Sequence, residues 1–370
     1  MILYYYSRLI KKLHLVKYTE KINKILIKSI CAFEKGINPE DVNGILDKVQ
    51  PNPKTTSICK NTIETNLLYD LCIIVPAYNV EKYINECIDS ILIQQTKYKY
   101  KIRIVEDGAT DKTSICLQEY ENLSNIKIIH QENRGFSGAR NRGLEFIEAR
   151  FVMFVDSDDS LPQGTIESLL TKAYDENSDI VEGEYNRIIG DKLILGTGRT
   201  QERKKLYGFP WGKVYKSSLF SNIHFPEKYW FEDTVCSYII YTLADKISFV
   251  CKAVYNYRIN PNGITQTSKG KAKSLDTLYI TESLLRDREE LKLPFTQETY
   301  EFTLRQFQMN FRRTYFLGNI IRRCVFYRQC NILKDFFCNY KTEIKGFIAF
   351  EKALRKKSYE EYYYSVLFEI

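Results

Sequence analysis

Four short stretches of this 370-residue chain gather residue types that handle cations and phosphates. They are Pro76-Ala-Tyr-Asn79, Glu106-Asp-Gly-Ala-Thr-Asp111, Asn133-Arg-Gly-Phe-Ser-Gly-Ala-Arg-Asn141 and Asp156-Ser-Asp-Asp159. Asp156 and Asp158 are separated by one residue, so at a strand end both carboxylates can point the same way and converge on one hard cation. Mn²⁺ or Mg²⁺ keeps several waters and shares its shell with substrate phosphates, so two carboxylates suffice and a diphosphate is a natural third party. The same residues, Asp158 to Ser160 ahead of Leu161-Pro162, also read as a helix cap with proline in the first turn. Asp-x-Asp alone is a weak motif.

Each stretch follows a short apolar run. Leu71–Val75 precedes the first, and a helical segment from Glu81 to Ile93 comes after it. Lys101–Val105 leads into the second, followed by helix-like residues from Thr113 to Tyr120. Ile126–Ile129 precedes the third and a helix from Ser137 to Glu148; Phe151–Val155 precedes the fourth. Alternating apolar runs and helices predict an α/β domain with a mainly parallel sheet, whose ligands bind at the carboxyl ends of the strands. A dinucleotide dehydrogenase would need G-x-G-x-x-G after the first strand, and a P-loop would need G-x-x-x-x-G-K-[ST]; neither is present.

The four stretches, in this order and spacing, resemble the nucleotide-sugar domain of glycosyltransferase family 2, which has the GT-A fold. The similarity continues in Trp211-Gly-Lys213 and Phe231-Glu-Asp-Thr234 and covers roughly residues 70 to 265. The resemblance implies a metal-dependent, inverting glycosyltransferase that moves a sugar from a UDP-sugar to a hydroxyl of a glycan or lipid-linked acceptor. Relatives of this kind build cell-surface polysaccharides, with no covalent enzyme intermediate. It assigns Asp107 to the uracil N3–H, and Pro76, Tyr78 and Glu81 to the nucleoside pocket, with Ala77, Asn79, Gly135 and Ser157 in the same nucleotide-sugar set. Arg134 and Arg140 would face the diphosphate, which suits an Arg fork. Asp156 would lie near ribose and metal, with Asp158 the main ligand of Mn²⁺ or Mg²⁺.

Inversion needs a carboxylate that takes the acceptor hydroxyl proton as oxygen attacks the anomeric carbon. The family places it in an acidic pair such as Glu232-Asp233, making Asp233 the candidate base; capping of the following helix is the alternative. Trp211, Lys213, Glu232 and Arg258 are expected around the sugar or acceptor, with plain core filling the alternative for Trp211. Tyr255-Asn-Tyr-Arg258 and Gly263-Ile-Thr265 resemble the closing strand and loop of the family, although relatives often carry Ser where Gly263 stands.

The flanks differ from this middle. Residues 1–66 are expected to form a basic helical extension and linker, 67–265 the catalytic domain and 266–370 a helical region. Ile2, Tyr6, Leu9, Leu13 and Val16 recur at helical spacing, with Arg8, Lys11, Lys12, Lys17 and Lys21 around them. Such a helix can pack on the main domain or a partner subunit, or lie on anionic lipid. Gln50 to Asn66 reads as a linker. Helical periodicity returns at Leu278–Glu290, Tyr300–Phe316, Ile332–Phe337 and Tyr359–Ile370, in a tail rich in arginine.

Lys+Arg 54 against Asp+Glu 46 gives +8, a mild bias towards anionic partners. No apolar run approaches the roughly 20 residues of a membrane span. Arg8, Lys11 and Lys12 interrupt the N-terminus, so it does not read as a secretory signal. Ten cysteines show no CxxC pair, which predicts reduced thiols and a cytoplasmic location, while the basic flanks fit the anionic membrane face as a peripheral partner. Three separated histidines give no zinc spacing. A sugar-phosphate nucleotidyltransferase and a non-catalytic, nucleic-acid-binding scaffold are the competing readings. The first lacks its Gly-rich basic loop, nucleic acid is not the expected partner, and oligomerisation is left open.

Overall fold

The computed structural model describes residues 2–33, 37–59, 67–190, 192–196, 206–260, 263 and 267–370. Two compact units emerge: Thr55–Lys228 with Glu232–Gly263, and Met1–Lys54 with Tyr229–Phe231 and Ile264–Ile370. The two flanks that the sequence set apart thus belong to one unit. Residues 60–66 of the expected linker, and Ile264 and Thr265 of the expected closing loop, lie outside the described residues.

The first unit is built on an eight-stranded sheet: β1 (Tyr69–Ala77), β2 (Tyr100–Glu106), β3 (Ile126–His130), β4 (Ala149–Phe154), β5 (Ile180–Ile189), β6 (Lys192–Ile194), β7 (Lys213–Lys216) and β8 (Ile247–Arg258). The order is β3-β2-β1-β4-β7-β5-β6, with β8 pairing β5. β1 runs parallel to β2 and β4, and β2 to β3, with Ile73 opposite both Ile102 and Met153. Leu71 to Val75 of β1 read as a continuous apolar run and are buried without alternation, as in a strand covered on both faces. β7 is antiparallel to β4 and β5, while β8 is parallel to β5. The mostly parallel sheet of the sequence reading is present, extended by a second half that the apolar runs did not announce.

Helix Gly135–Leu144 packs against β1 more closely than a side chain would allow. A Cβ on Gly143 would stand 2.4 Å from Ile74 Cγ2, so this position admits only glycine. That contact fixes the height at which Arg140, one turn earlier, meets the strand ends.

The second unit is helical: Ile2–Lys12, Glu20–Phe33, Val42–Val49, Asp276–Glu290, Gln297–Thr314, Asn319–Phe337, Lys345–Arg355 and Tyr359–Tyr364. Aromatic packing forms its core: Phe311, Phe326 and Phe350 surround Tyr362, whose buried hydroxyl donates to Gln329 Oε1 at 2.9 Å. Thr296 and Ser358 cap two of the helices by accepting from backbone N–H groups three residues on.

The N-terminal helix buries a different face from the expected one. Tyr4, Ser7 and Ile10 point inward, with Tyr4 4.8 Å from the Tyr315 ring, whereas Ile2 is 86% exposed and Leu9 and Leu13 are each 54% exposed. The segment carries two apolar stripes, and packing takes the one bearing Tyr4. No described helix is long and apolar enough to cross a membrane.

Candidate active site

The site residues stand at the carboxyl ends of β1, β2 and β4, and side chains in the loops bind those ends to one another. Asn79, held at φ +52°, accepts from the Thr110 N–H at 2.8 Å. Glu81 accepts from the Lys112 N–H at 2.9 Å and donates its own N–H to Asp111 at 3.1 Å. Two of the residues expected in the nucleotide-sugar set therefore also lock the first two loops together. Pro76 and Ala77 are buried, and Tyr78 is exposed above them.

Asp107 is buried, and its Oδ1 accepts from the Arg134 N–H at 2.8 Å and from Gln131 Nε2 at 2.6 Å. Among the described residues no protein donor reaches Oδ2, so one carboxylate oxygen is open to a ligand donor. Gly135, at φ +72°, makes the turn that starts the helix carrying Arg140. Arg134 lies on the rim and pairs with Glu227 at 2.6 Å.

Burial alternates along the fourth loop: Asp156 and Asp158 are half-buried, whereas Ser157 and Asp159 are buried. Asp156 and Asp158 stand close enough for the charge of one to bear on the other, in a turn where the Asp159 N–H donates to the Asp156 carbonyl at 3.0 Å. Burial, followed by the charge of Asp156, raises the pKa of Asp158. Burial and the charges of Asp156 and Asp158 raise Asp159 well above the usual range. The loop thus concentrates negative charge that a hard cation would offset, and a donor set of two carboxylates suits Mn²⁺ or Mg²⁺ completed by water and phosphate. The helix-cap alternative does not hold, since the next helix begins at Thr165, after Gly164, with no side-chain cap.

Residues far along the chain shape this loop. The Tyr255 hydroxyl accepts from the Asp156 N–H at 3.0 Å and donates to Asp159 Oδ2 at 2.8 Å. Arg258 donates its N–H to Asp159 at 2.6 Å and its Nε–H to the Asp158 carbonyl at 2.9 Å, and pairs with Glu86. Asn260 donates to Asp158 Oδ2 at 3.3 Å. Arg258 therefore belongs to the acidic loop, and its part is to hold it.

Arg140 is buried between two carboxylates, donating to Glu232 at 2.5 Å and to Asp156 at 3.0 Å. Burial would lower its pKa, but Asp156 and Glu232 outweigh burial and raise it. Its fork holds protein carboxylates, so the expected contact with a diphosphate gives way to a positioning role: Arg140 links Asp156 to Glu232, the neighbour of Asp233. The backbone at that pair is unusual, with Phe231 at φ +66° just before it and a π-helical stretch, Cys236–Ile240, just after it. Asp233 itself is half-buried.

Trp211 and Lys213 require correction. The Trp211 indole is stacked between Phe209 and Tyr255, each at 4.4 Å and within 10° of parallel, so neither face is open to a pyranose. Lys213 is fully buried, and its ammonium meets Glu182 at 2.7 Å, the Phe209 carbonyl at 2.6 Å and the Trp211 carbonyl at 3.1 Å. Its three protons are shared among four acceptors, the Tyr207 carbonyl at 3.4 Å being the fourth, and the side chain anchors the 207–211 segment. Of the contributors that sequence reasoning missed, Glu227 and Gln131 carry no motif, and Tyr255 stood inside a recognised segment without a role.

Comparison with known proteins gives a consistent picture. The model of Glycosyl transferase family 2 matches residues 72–227. EpsH of Bacillus subtilis is 32% identical over 242 residues, 60% of this chain and 70% of EpsH. Glycosyltransferase GlyA of Streptococcus pneumoniae serotype 4 is 34% identical over 219 residues, 53% of this chain but only 31% of GlyA. The crystal structure of Staphylococcus aureus TarS residues 1–349 in complex with UDP-GlcNAc superposes with a TM-score of 0.66 at 21% identity, covering 80% of this chain and 90% of that one. That likeness establishes the GT-A fold.

Proposed function

The chain belongs to glycosyltransferase family 2, and on that premise we propose that it transfers a sugar, with inversion, from a UDP-sugar to a hydroxyl of a cell-surface glycan or its lipid-linked precursor. The reading is supported by the crystallised complexes of TarS with UDP-GlcNAc and UDP, and by its name as a poly(ribitol-phosphate) β-N-acetylglucosaminyltransferase. The observation that carries it is the proximity of Asp156 and Asp158 in the loop after β4, in the same set of loops as an Asp107 oxygen that no donor among the described residues reaches.

In this reading Asp107 Oδ2 accepts the uracil N3–H, and Tyr78 borders the base. Asp158 and Asp156 hold Mn²⁺ or Mg²⁺, which supplies positive charge against the departing diphosphate. Asp233 receives the acceptor hydroxyl proton as the oxygen bonds to the anomeric carbon; the carbon–oxygen bond to the diphosphate breaks, and UDP leaves with the electron pair. Arg140 keeps Asp156 and Glu232 fixed, so the metal end and the base end of the site hold their spacing.

The second unit adds a membrane-facing reading. Residues 2–33 carry seven Lys or Arg against one carboxylate, Glu20. Ile22 and Ile25 are exposed on the second helix with Lys21 and Lys28 on their flank, and Ile2, Tyr5 and Leu9 are exposed on the first. Exposed apolar stripes edged by cations suit the surface of an anionic bilayer.

The test of the central reading is a thermal-shift panel of UDP, GDP, CDP, ADP and TDP, each with Mn²⁺ or EDTA, because a ligand of the native state raises apparent stability. A shift with UDP that requires Mn²⁺ is expected. Absence of a shift with every nucleotide, in folded protein, would favour a scaffold.

A further inference from the structure

The helical unit contains a cavity of about 350 Å³ with strong positive character. Arg8 and Lys11 face it from the N-terminal helix, Lys269 from the segment before Asp276–Glu290, and Arg312 and Arg313 from helix Gln297–Thr314. No Asp or Glu is found among its described lining residues. Apolar groups complete the wall, among them Tyr4, Phe231 and Leu367. The Arg313 guanidinium lies 3.5 Å from the centre of the Phe231 ring and donates to Thr277 Oγ1 at 2.8 Å, which fixes its position. Lys11 donates to the Ile370 carbonyl oxygen. Burial, followed by the charge of Arg312, lowers Lys11 to about 8.

Cations from three segments of chain thus surround a space large enough for a small organic anion. Guanidinium forks match phosphate oxygens two at a time, and the adjoining aromatic and aliphatic wall suits the carbon side of an ester rather than a bare inorganic ion. Phe231 immediately precedes Glu232-Asp233 in the chain.

We propose that this cavity binds the phosphate or diphosphate group of an esterified acceptor. The inference rests on the transferase reading above and adds to it: the acceptor is a phosphate ester, recognised in the helical unit by charge and by its organic part.

The test is calorimetric titration of the full chain in EDTA, without Mn²⁺, using inorganic pyrophosphate and farnesyl diphosphate as probes. UDP with Mn²⁺ is titrated separately into the same preparations. Binding of one farnesyl diphosphate per chain is expected, about tenfold tighter than pyrophosphate and weakened about tenfold in Arg8→Ala/Arg312→Ala, with UDP binding unchanged. Both arginines are exposed, and so is Lys269, whose Lys269→Ala variant gives the same comparison should the double variant not fold. Equal affinity for the two probes would overturn the ester assignment in favour of free phosphate. Absence of binding, or binding untouched by the substitutions, would overturn the site. Normal UDP binding beside either failure leaves the transferase reading intact, whereas loss of UDP binding alone counts against that reading.

Discussion

Arg140 and the cations of the helical cavity show two ways of placing positive charge in one chain. Arg140 is surrounded by its own counter-charges, Asp156 and Glu232, and is buried with them. The cavity gathers five cations with no described carboxylate in its lining. The first arrangement is complete without a ligand and serves to hold other side chains in place. The second sets its cations around an open space, with Arg313 held by Thr277 and Lys11 by the Ile370 carbonyl. A cationic residue inside a recognised motif is therefore not by itself a phosphate ligand; what surrounds it decides.

Removing the cation from each place should give opposite results. Arg140→Ala strands two carboxylates, and loss of one partner from a buried ion pair costs about 3–5 kcal/mol. Urea unfolding is expected to show that loss, together with weaker UDP binding in Mn²⁺. Arg312→Ala, by contrast, should leave stability within about 0.5 kcal/mol, as for an ordinary surface change. A large loss from Arg312→Ala, or a negligible one from Arg140→Ala, would erase the distinction.

The next effect is smaller. Tyr255→Phe removes the hydroxyl that joins the Asp156 N–H to Asp159 and leaves buried polar groups unpaired, at a cost of about 1–3 kcal/mol. If the hydroxyl holds the acidic loop in shape, the Mn²⁺ concentration needed for UDP binding should rise as well. Unchanged metal dependence would confine Tyr255 to stability.

Salt separates the two charge arrangements most gently. Sedimentation with vesicles containing anionic phosphatidylglycerol should retain the protein at low ionic strength and release it progressively with NaCl, because exposed charges are screened. Ile22→Asp/Ile25→Asp should reduce retention several-fold in the same assay. UDP affinity in Mn²⁺, measured alongside, should respond less, since the groups that shape that site are buried. Equal retention on neutral vesicles would remove the electrostatic part of the membrane reading.

Legibility in the sequence followed the range of the interactions involved. β1 and β4 could be read because most of their residues are apolar and buried, and β2 and β3 because isoleucine dominates them despite Lys101, Arg103 and Lys127. β5 could not, since it carries Glu182, Glu184 and Asn186, whose partners lie elsewhere, and β7 is four residues long with a buried lysine at its start. Asp156 and Asp158 were legible as a closely spaced pair after an apolar run, although a turn rather than strand alternation places them. The burial of Arg140 and the role of Tyr255 were not, because Glu232 and Tyr255 meet their partners across 92 and 99 residues of chain. Trp211 looked the same as a sugar platform until Phe209 and Tyr255 were found stacked on its faces. In the N-terminal helix two apolar stripes compete, and periodicity finds both without ranking them.

The most direct measurement is calorimetric titration of UDP, with Mn²⁺ and with EDTA, into the unmodified chain, Asp158→Ala and Asp233→Asn. The account predicts Mn²⁺-dependent binding that falls at least about tenfold in Asp158→Ala and stays within about twofold in Asp233→Asn. Binding retained by Asp158→Ala and lost by Asp233→Asn, or binding indifferent to EDTA, would contradict it.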